Sequence, residues 1–306
     1  MKILLINYAY FVTGGPERYM FNVKNLLEKN GHEVIPFSIK SNDNIHSKYE
    51  KFFANSISSD GSWYYESSKN PKYIFKQLGR LFYSFHVKKK LNQLIKKIKP
   101  DVAYILQYHK KLSPSIIDSC KIHSIPIVVR LSDYLIMCPE TNFFRDGRIC
   151  EDCKVSTFSS VKHKCVKNSR SATFLWWIAN KIHWFIGSYD KIDILICTAL
   201  IPGKPAPKIL SENVIQKMKP GSIVFDLAVT QGGNSAYSEV DKIVNKNGVK
   251  IIGISNVMNK LPLTASSLFA KNVFSFARNL YSKDKKQFIL NMEDEIIKST
   301  LIQGRN

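Results

Sequence analysis

The fold class is predicted by one stretch near the start of the chain, residues 2–37, KILLINYAYFVTGGPERYMFNVKNLLEKNGHEVIPF. The opening run, Lys2–Asn7, is almost continuously aliphatic, which is typical of a strand buried in a parallel sheet. A turn with Gly14 and Gly15 follows, and apolar residues then recur at helical spacing up to residues 30–31, an Asn-Gly stop signal. Residues 34–37 predict a second strand. We therefore predict an α/β fold that opens with a Rossmann-like parallel sheet.

The alternation of strands and helices continues along the chain. Residues 102–106 and 127–131 predict buried strands, and residues 115–123 predict a helix between them. Residues 41–70 are polar, which indicates a long surface loop. Residues 73–97 predict one basic helix. Its pattern fits contact with an anionic membrane surface, and it fits equally a helix whose lysines simply face water.

The chain is strongly basic. Its 306 residues, enough for about two domains, carry a formal net charge of +21. Residues 1–191 hold 30 Lys and Arg against 15 Asp and Glu, and residues 192–306 hold 15 against 9. Such a charge attracts phosphate in nucleic acid, lipid or nucleotide sugar, although AT-rich coding would enrich Lys in the same way. We expect no nucleic-acid partner, because no helix-turn-helix, zinc-finger or single-strand-binding signature accompanies the charge.

The sequence favours a cytoplasmic protein, with the inner face of the membrane as the alternative. Its first apolar run is short and ends in a Gly-rich turn, unlike a signal peptide. Residues 174–189 are too short and too polar to span a bilayer. In a reducing compartment, the six cysteines are expected to be thiols or metal ligands and not disulfides.

A cysteine-rich insert is predicted at residues 138–165. Its members, with gaps of eleven, two and eleven residues, are Cys138, Cys150, Cys153 and Cys165. The central pair can grip one metal ion and the outer pair can close a tetrahedron, with His163 as a substitute ligand. We expect either a structural zinc ion or four unpaired thiols. A catalytic metal is not expected, because four cysteines leave no open position.

The pattern changes after residue 192. Residues 194–197 predict a strand that ends in a stiff loop with three prolines, of a kind that suits contact with a ligand. A Gly-rich turn at residues 231–234 follows the predicted strand at 223–227. Such turns at strand ends are where open α/β sheets bind ligands. The remaining predicted elements are a helix at 212–218, a strand at 248–254 and a helix at 265–280.

Two runs in the N-terminal portion resemble family 4 retaining glycosyltransferases of the GT-B architecture. They are GGPERYMFNVKNLLEKNGHEV at 14–34 and RLSDYLIMCPETNFFRDGRICEDC at 130–153. The resemblance covers residues 1–191 and implies the acceptor-side half of such an enzyme, without the domain that holds the nucleotide sugar. Ser132 stands where many relatives have His. The substrate-binding residues implied by the resemblance are Gly14, Gly15, Glu17, Arg18, His109 and Asp133.

Four later runs resemble the NAD(H)-binding alpha subunit of proton-translocating NAD(P) transhydrogenase, a relative of alanine dehydrogenase. They are ICTALIPGKPAPKIL, MKPGSIVFDLAVTQGGN, GVKIIGISNV and ASSLFAKNVFSF, within residues 192–306. The cofactor-binding residues implied by the resemblance are Thr198, Ala199, Leu200, Asp226, Gln231, Gly232, Gly233 and Asn234. Thr230 and residues 256–260 depart from the family pattern. Because the chain has no Gly-x-Gly-x-x-Gly turn, we expect weak or absent binding of NAD(H).

Together these features predict a fusion of two truncated enzymes that is inactive alone. Residues 1–191 would form a glycosyltransferase-like domain and residues 192–306 a partial transhydrogenase domain, with the strand at 194–197 shared between them. One alternative is a transhydrogenase component that works with membrane partner subunits. The other is a glycosyltransferase subunit completed by a nucleotide-sugar-binding partner chain. We expect the N-terminal piece to be the better folded, with a protease-resistant fragment of residues 1–198.

Overall fold

A computed structural model describes residues 1–58, 71–185, 190–201, 204–282 and 284–302. The strands in these described ranges are β1 Lys2–Asn7, β2 Glu33–Phe37, β3 Val102–Gln107, β4 Ile127–Leu131, β5 Phe144–Arg145, β6 Arg148–Ile149, β7 Ile194–Cys197, β8 Ile223–Asp226, β9 Ile243–Lys246, β10 Val249–Gly253, β11 Tyr281–Ser282 and β12 Gln287–Phe288. The helices are α1 Gly15–Lys29, α2 Pro71–Leu81, α3 Phe85–Ile98, α4 Ser115–Ile122, α5 Asp152–Val155, α6 Ser159–Lys162, α7 Arg170–Phe185, α8 Glu212–Lys217, α9 Val257–Lys260, α10 Pro262–Asn279 and α11 Glu295–Thr300. Short 3₁₀ turns lie at Glu50–Phe52 and Val229–Gln231.

Eight of these strands form one sheet in the order β2-β1-β3-β4-β7-β8-β10-β9. All neighbours are parallel except β9, which pairs with β10 in the antiparallel sense. The predicted α/β class with a Rossmann-like parallel sheet is confirmed. The edge strand β9 was not predicted, since its sequence IVNK is too short and too polar to show the pattern of a buried strand.

The strand β7 joins the two portions of the chain in a single sheet. On one side it pairs with β4, from Val128 opposite Ile194 to Leu131 opposite Cys197. On its other side it pairs with β8, and β10 follows β8 in the same parallel sense. The strands β8, β10 and β9 therefore extend the sheet that β2, β1, β3, β4 and β7 begin, and they do not form a separate sheet.

The larger of two hydrophobic clusters among the described residues runs along this sheet. Fully or almost fully buried residues of a single contacting cluster come from strands on both sides of the join: Leu4, Ile105, Val129, Leu195, Val224 and Ile251. Burial of such aliphatic side chains contributes about 1.5–3 kcal/mol each relative to an exposed position. Both portions of the sequence therefore contribute buried side chains that stabilise this core.

The basic helix predicted at residues 73–97 is two helices, α2 and α3. The chain breaks at Ser84, whose side chain accepts the N–H of Val87 and so caps α3. The apolar face of α3 is buried in the core, with Leu91 and Leu94 fully enclosed. This corrects the expectation that the whole stretch could lie on a membrane, because the apolar face of α3 packs against the protein core.

Two compact units divide the chain at residues 255 and 256. The unit of residues 1–255 contains the whole sheet. Residues 256–306 form a smaller unit with α9, α10, the β11–β12 hairpin and α11. The larger unit extends well past residue 198, because β8 and β10 continue the sheet.

The described helices are all too short or too polar to cross a lipid bilayer. The apolar stretch at residues 174–189 belongs to α7 up to Phe185. Residues 186–189, and residues 59–70 of the predicted surface loop, lie outside the described ranges of the chain.

Candidate functional site

The predicted binding residues lie along one edge of the sheet, where the parallel strands end. The last residues of these strands are Asn7 in β1, Gln107 in β3, Leu131 in β4, Cys197 in β7 and Asp226 in β8. Open α/β sheets bind ligands at this edge, above all where the strand order reverses. The order here reverses at β1, because β2 lies on one side of it and β3 on the other.

The carboxylate of Asp226 holds the loop that follows β8. Its Oδ2 accepts the backbone N–H groups of Asn234 at 2.6 Å and Ser235 at 3.0 Å, and the hydroxyl of Ser238 at 2.5 Å. Its Oδ1 accepts the N–H of Ala228 at 2.9 Å. Asp226 is fully buried, so its acceptor capacity is used inside the protein. It frames the site and is not exposed to a ligand.

The amide of Asn234 ties the loop after β7 to the loop after β8. Its Oδ1 accepts the N–H of Ala199 at 3.0 Å, and its Nδ2 donates to the carbonyls of Ala199 at 2.8 Å and Pro207 at 3.0 Å. Asn234 and Ala199 are both buried. The structure thus brings Ala199, Asp226 and Asn234 together as an inner frame.

The residues that a ligand can touch lie on the outer side of this frame. Gln231 and Gly232 are exposed, and Leu200 is 44% exposed. Thr198 is half-buried, and its backbone N–H donates to the carbonyl of Leu131 at 3.0 Å. A shallow cavity of about 540 Å³ is lined by Lys204, Pro205, Gln231 and Gly232.

Sequence reasoning missed Lys208 in this region of the site. Its Nζ donates to the carbonyls of Gly232 and Ser235 and so stabilises the glycine-rich turn at residues 231–234. Burial lowers the pKa of Lys208, and the charge of Asp226 opposes that shift. The sequence feature that could have identified it was a lysine at the end of a proline-rich loop.

In the N-terminal portion of the chain, Glu17 caps α1 and retains one unused oxygen. Its Oε2 accepts the Thr13 hydroxyl at 2.8 Å and the Gly14 N–H at 3.1 Å. Its Oε1 is buried without a hydrogen-bond partner, although only 1% of the residue is exposed. Gly15 and Arg18 are exposed beside it at the start of α1. A buried carboxylate oxygen without a partner is costly unless a ligand or water fills the place.

His109 follows β3 with its ring half-buried and stacked on Tyr108, the ring centroids 4.0 Å apart. Burial, with smaller contributions from His183 and Lys110, lowers the pKa of His109 to about 3. The imidazole is therefore neutral near pH 7. It can donate or accept a hydrogen bond there, but it offers no positive charge to a phosphate.

Asp133 follows β4 and faces the end of β3. Its Oδ1 accepts the N–H of Leu135 at 3.0 Å, and its Oδ2 lies 3.5 Å from Nε2 of Gln107. Burial raises the pKa of Asp133, and these contacts together with the charges of Lys110 and Arg130 only partly offset it. The carboxyl group thus lies near a group of polar side chains at the centre of the edge.

Lys110 and Lys111 also lie at this edge and were not predicted. Burial lowers the pKa of both, and with a smaller contribution from the charge of Lys110 the pKa of Lys111 falls to about 8. Lys110 Nζ donates to the carbonyl of Pro139 at 3.3 Å. The sequence feature that could have identified them was their position directly after His109, beyond the end of a predicted strand. These lysines bring positive charge to the place where the strand order reverses.

The cysteine insert differs from the predicted tetrahedron. Within the described residues, the donors that converge within 4.8 Å of one another are Cys150, Asp152 and His163, and the four cysteines do not form such a set. Cys138 and Cys153 instead form a hydrogen-bonded pair. His163 Nε2 lies 2.6 Å from Asp152 Oδ2.

The reason lies in the backbone around Cys138. The Cys153 thiol and the N–H groups of Phe143, Glu140 and Thr141 donate to its sulfur and lower the pKa of Cys138 to about 6, against the effect of burial. The same hydrogen bond and burial raise the pKa of Cys153. The spacing of cysteines in the sequence could not reveal this pairing.

Comparison with known proteins shows a family match. Residues 152–305, which are 154 of the 306 residues, match the family described as "Alanine dehydrogenase/PNT, C-terminal domain". The "NAD(P) transhydrogenase subunit alpha" of Haemophilus influenzae is 34% identical over 113 residues, 37% of this chain and 22% of that protein. "Alanine dehydrogenase" of Lysinibacillus sphaericus is 36% identical over 105 residues, 33% of this chain and 28% of that protein.

The chain spans less than a third of the length of these curated relatives. Among solved structures, the transhydrogenase from Sinorhizobium meliloti aligns over 98% of this chain and 97% of its own. That alignment has 17% sequence identity and a TM-score of 0.35.

Proposed function

Because the chain belongs to the alanine dehydrogenase/PNT C-terminal domain family, we propose that its later portion forms one wall of an NAD(H) site. The observation that carries this proposal is the inner frame of Ala199, Asp226 and Asn234. It holds two exposed loops side by side at the carboxyl edge of the sheet, where dinucleotides bind in such folds. The ligand-facing residues of this wall are Thr198, Leu200, Gln231 and Gly232.

The proposed wall is the nicotinamide side of the site. Thr198 and Leu200 would flank the dinucleotide, and Gln231 and Gly232 would border the nicotinamide ring. The buried members of the set, Asp226 and Asn234, would act only through the loops that they position. This division follows from exposure: a residue whose hydrogen bonds are all made inside the protein has none left for a ligand.

We propose further that this wall binds NAD(H) weakly and transfers no hydride by itself. A dinucleotide is held by backbone amides at a helix N-terminus around its pyrophosphate and by an acid on its ribose. No Gly-x-Gly-x-x-Gly turn occurs in the sequence. Losing several hydrogen bonds to charged groups, each worth about 1.5–3 kcal/mol, weakens micromolar binding to millimolar or worse, since about 1.4 kcal/mol is tenfold.

For residues 1–191 we propose the acceptor-side half of a GT-B glycosyltransferase, so that the chain is a fusion of two enzyme pieces. The supporting observation is the unpartnered Glu17 Oε1 beside Gly14, at the place where the strand order reverses. The partly buried lysines Lys110 and Lys111 add the positive charge that a diphosphate requires.

Two alternatives assign the chain an activity with partners. In the first, membrane subunits of a transhydrogenase supply the missing components of the NAD(H) site, and the chain works at the inner face of the membrane. In the second, another chain supplies the nucleotide-sugar domain and the N-terminal piece acts as a glycosyltransferase subunit. Both alternatives predict that activity appears when the chain is mixed with its partner. The inactive fusion predicts no activity in either mixture.

The NAD(H) proposal is tested by saturation-transfer NMR, which detects ligands that bind at millimolar affinity. With the purified chain and NADH, we expect transfer that is strongest to the nicotinamide protons and weaker to the adenine protons. Gln231→Ala should reduce the transfer to the nicotinamide protons several-fold, because it removes a ligand-facing side chain without touching the frame. Gln216→Ala, which also replaces an exposed glutamine but on α8, is the matched control and should leave the spectrum unchanged.

Two results would contradict the proposal. Saturable binding at tens of micromolar in a calorimetric titration would mean that a complete dinucleotide site is present. No transfer to any proton at millimolar NADH would mean that the loops are not a wall of such a site at all. For the N-terminal piece, the same measurement with a nucleoside-diphosphate sugar should show transfer that Glu17→Gln reduces.

A further inference from the structure

The cysteine insert has little regular structure to hold its shape. Between Cys138 and Cys165 it contains two strands of two residues, β5 and β6, and two helices of four residues, α5 and α6. Several non-glycine residues in or next to it have left-handed backbone, with φ between 50° and 68°: Thr141, Phe143, Asp146, Lys164, Lys167 and Asn168. Such conformations persist only where the surroundings over-determine them. A metal ion is one way to supply that constraint.

Three donors of different elements already converge in this insert. The thiol of Cys150 after β6, a carboxylate oxygen of Asp152 in α5 and a ring nitrogen of His163 after α6 all lie within 4.8 Å of one another. Zinc bonds of about 2.0–2.3 Å in a tetrahedron require donor separations of about 3.3–3.8 Å. The three donor atoms, all within 4.8 Å of one another, can reach that range through small side-chain movements. The 2.6 Å contact between Asp152 and His163 would open by about 1 Å on binding.

A fourth donor, Cys165, lies outside the 4.8 Å group but near enough to interact electrostatically with Cys150. The Arg145 guanidinium donates to the Cys150 thiol and also interacts electrostatically with Cys165. No direct hydrogen bond joins Cys165 and Cys150 among the contacts of the described residues, and their interaction is electrostatic. These interactions place the sulfur of Cys165 near that of Cys150.

We propose that the insert binds one zinc ion through Cys150, Asp152, His163 and Cys165. This set differs from a four-cysteine site. Thiolate, imidazole and carboxylate are all ordinary zinc ligands, and four of them close a structural site. The ion would link β6, α5 and the turn after α6, and so hold the insert in one conformation beside the sheet edge.

The two remaining cysteines are left out of the site because their sulfurs are already satisfied. Cys138 accepts hydrogen bonds from Cys153 and from three backbone N–H groups, and both residues are almost fully buried. Cys150 and Cys165 are only partly buried. A metal can reach the exposed side of the insert without breaking the inner pair.

The test compares two double variants with equal numbers of Cys→Ser changes. The reduced full chain is incubated with zinc, dialysed and assayed for bound metal by atomic emission. We expect one zinc per chain in the wild type, near-complete loss in C150S/C165S, and full retention in C138S/C153S. The single variant His163→Gln leaves every cysteine in place and should weaken zinc binding at least tenfold.

Folding and ligand identity are checked in the same samples. Circular dichroism should show that each variant is folded, and cobalt in place of zinc should give the absorption of a tetrahedral site with two sulfur ligands. Loss of zinc from C138S/C153S together with retention in C150S/C165S would overturn the proposal. So would loss from both folded variants, which would indicate a four-cysteine site, and so would a wild-type chain that retains no zinc.

Discussion

At position 233 the structure leaves no room for a side chain larger than that of glycine. Gly233 has a φ of +78°, and a Cβ there would lie 2.8 Å from Ser238 Cβ and 2.9 Å from Asp226 Oδ2. Its neighbour Gly232 has a φ of +96° but open space around the same direction. The two glycines of one turn therefore have different reasons to be glycine: conformation alone at 232, and conformation with close packing at 233.

This difference predicts unequal costs for two equal substitutions. Gly232→Ala should lower the free energy of unfolding by about 1–2 kcal/mol, the cost of left-handed backbone for a residue with a Cβ. Gly233→Ala should cost a further amount of about 1–3 kcal/mol, because the added methyl overpacks the buried Asp226. Urea denaturation measures both. Equal losses for the two variants would show that Asp226 and Ser238 move aside easily.

At the scale of elements, β7 depends on the carboxylate of Asp193 directly before it. Its Oδ2 accepts the N–H of Ile127 at 2.7 Å and Lys121 Nζ at 3.2 Å, and its Oδ1 accepts Lys219 Nζ. Ile127 and Lys121 belong to the N-terminal portion of the chain and Lys219 to the later portion. One side chain therefore ties β4, α4 and the residues before β8 at the join.

The contacts of Asp193 predict a pH-dependent contribution to stability. Burial alone would raise the pKa of Asp193, but the hydrogen bonds from Lys219, Ile127 and Lys121 outweigh it and lower the pKa below 3.8. A carboxyl with a lowered pKa stabilises the fold above its ordinary pKa, and that stabilisation is lost as pH falls through the folded value. Asp193→Asn should cost about 1.5–3 kcal/mol near neutral pH.

The measurement is urea denaturation of wild type and Asp193→Asn near neutral pH and near pH 3. The difference should shrink at the lower pH as the wild-type carboxylate becomes protonated. Glu239→Gln breaks an exposed pair with Lys242 and is the matched control, with an expected cost under about 0.5 kcal/mol. A difference between wild type and Asp193→Asn that stays constant with pH would exclude the proposed charge contribution.

At the scale of the whole molecule, the sheet does not stop where the sequence resemblance changes. The strands β1 to β4 and the strands β7 to β10 share one hydrogen-bonded sheet, and the larger hydrophobic cluster draws residues from both sets. The compact unit that results ends at residue 255. We therefore expect this range to unfold as one unit, because the larger hydrophobic cluster contains residues from both portions of the chain.

Limited proteolysis tests this prediction. We expect trypsin to cut first in the exposed segment around Lys260 and to leave a long-lived fragment of about residues 1–255. Mass spectrometry of the fragment identifies its C-terminus. A stable product that ends near residue 198 would instead mean that β8 and β10 are held only loosely, since cleavage there removes both strands from the sheet.

The sequence by itself determined the elements of the sheet. Its aliphatic runs predicted β1, β3, β4, β7, β8 and β10 within a residue or two, because burial on both faces requires a continuous apolar run. The family resemblances also implied binding residues that follow these strand ends, and their roles stay a prediction. What it missed locally were features without periodicity, such as the break at Ser84 and the polar edge strand β9.

Only the tertiary structure decided how these elements meet. Asp226 and Asn234 became a buried frame, while Gln231 and Gly232 stayed exposed, because hydrogen bonds between loops far apart in sequence determine which side chains remain available. The cysteines were divided into an inner pair and an outer group for the same reason. Strand order is likewise a long-range property: apolar runs establish that a strand is buried, whereas pairing between distant segments establishes which strand lies beside it.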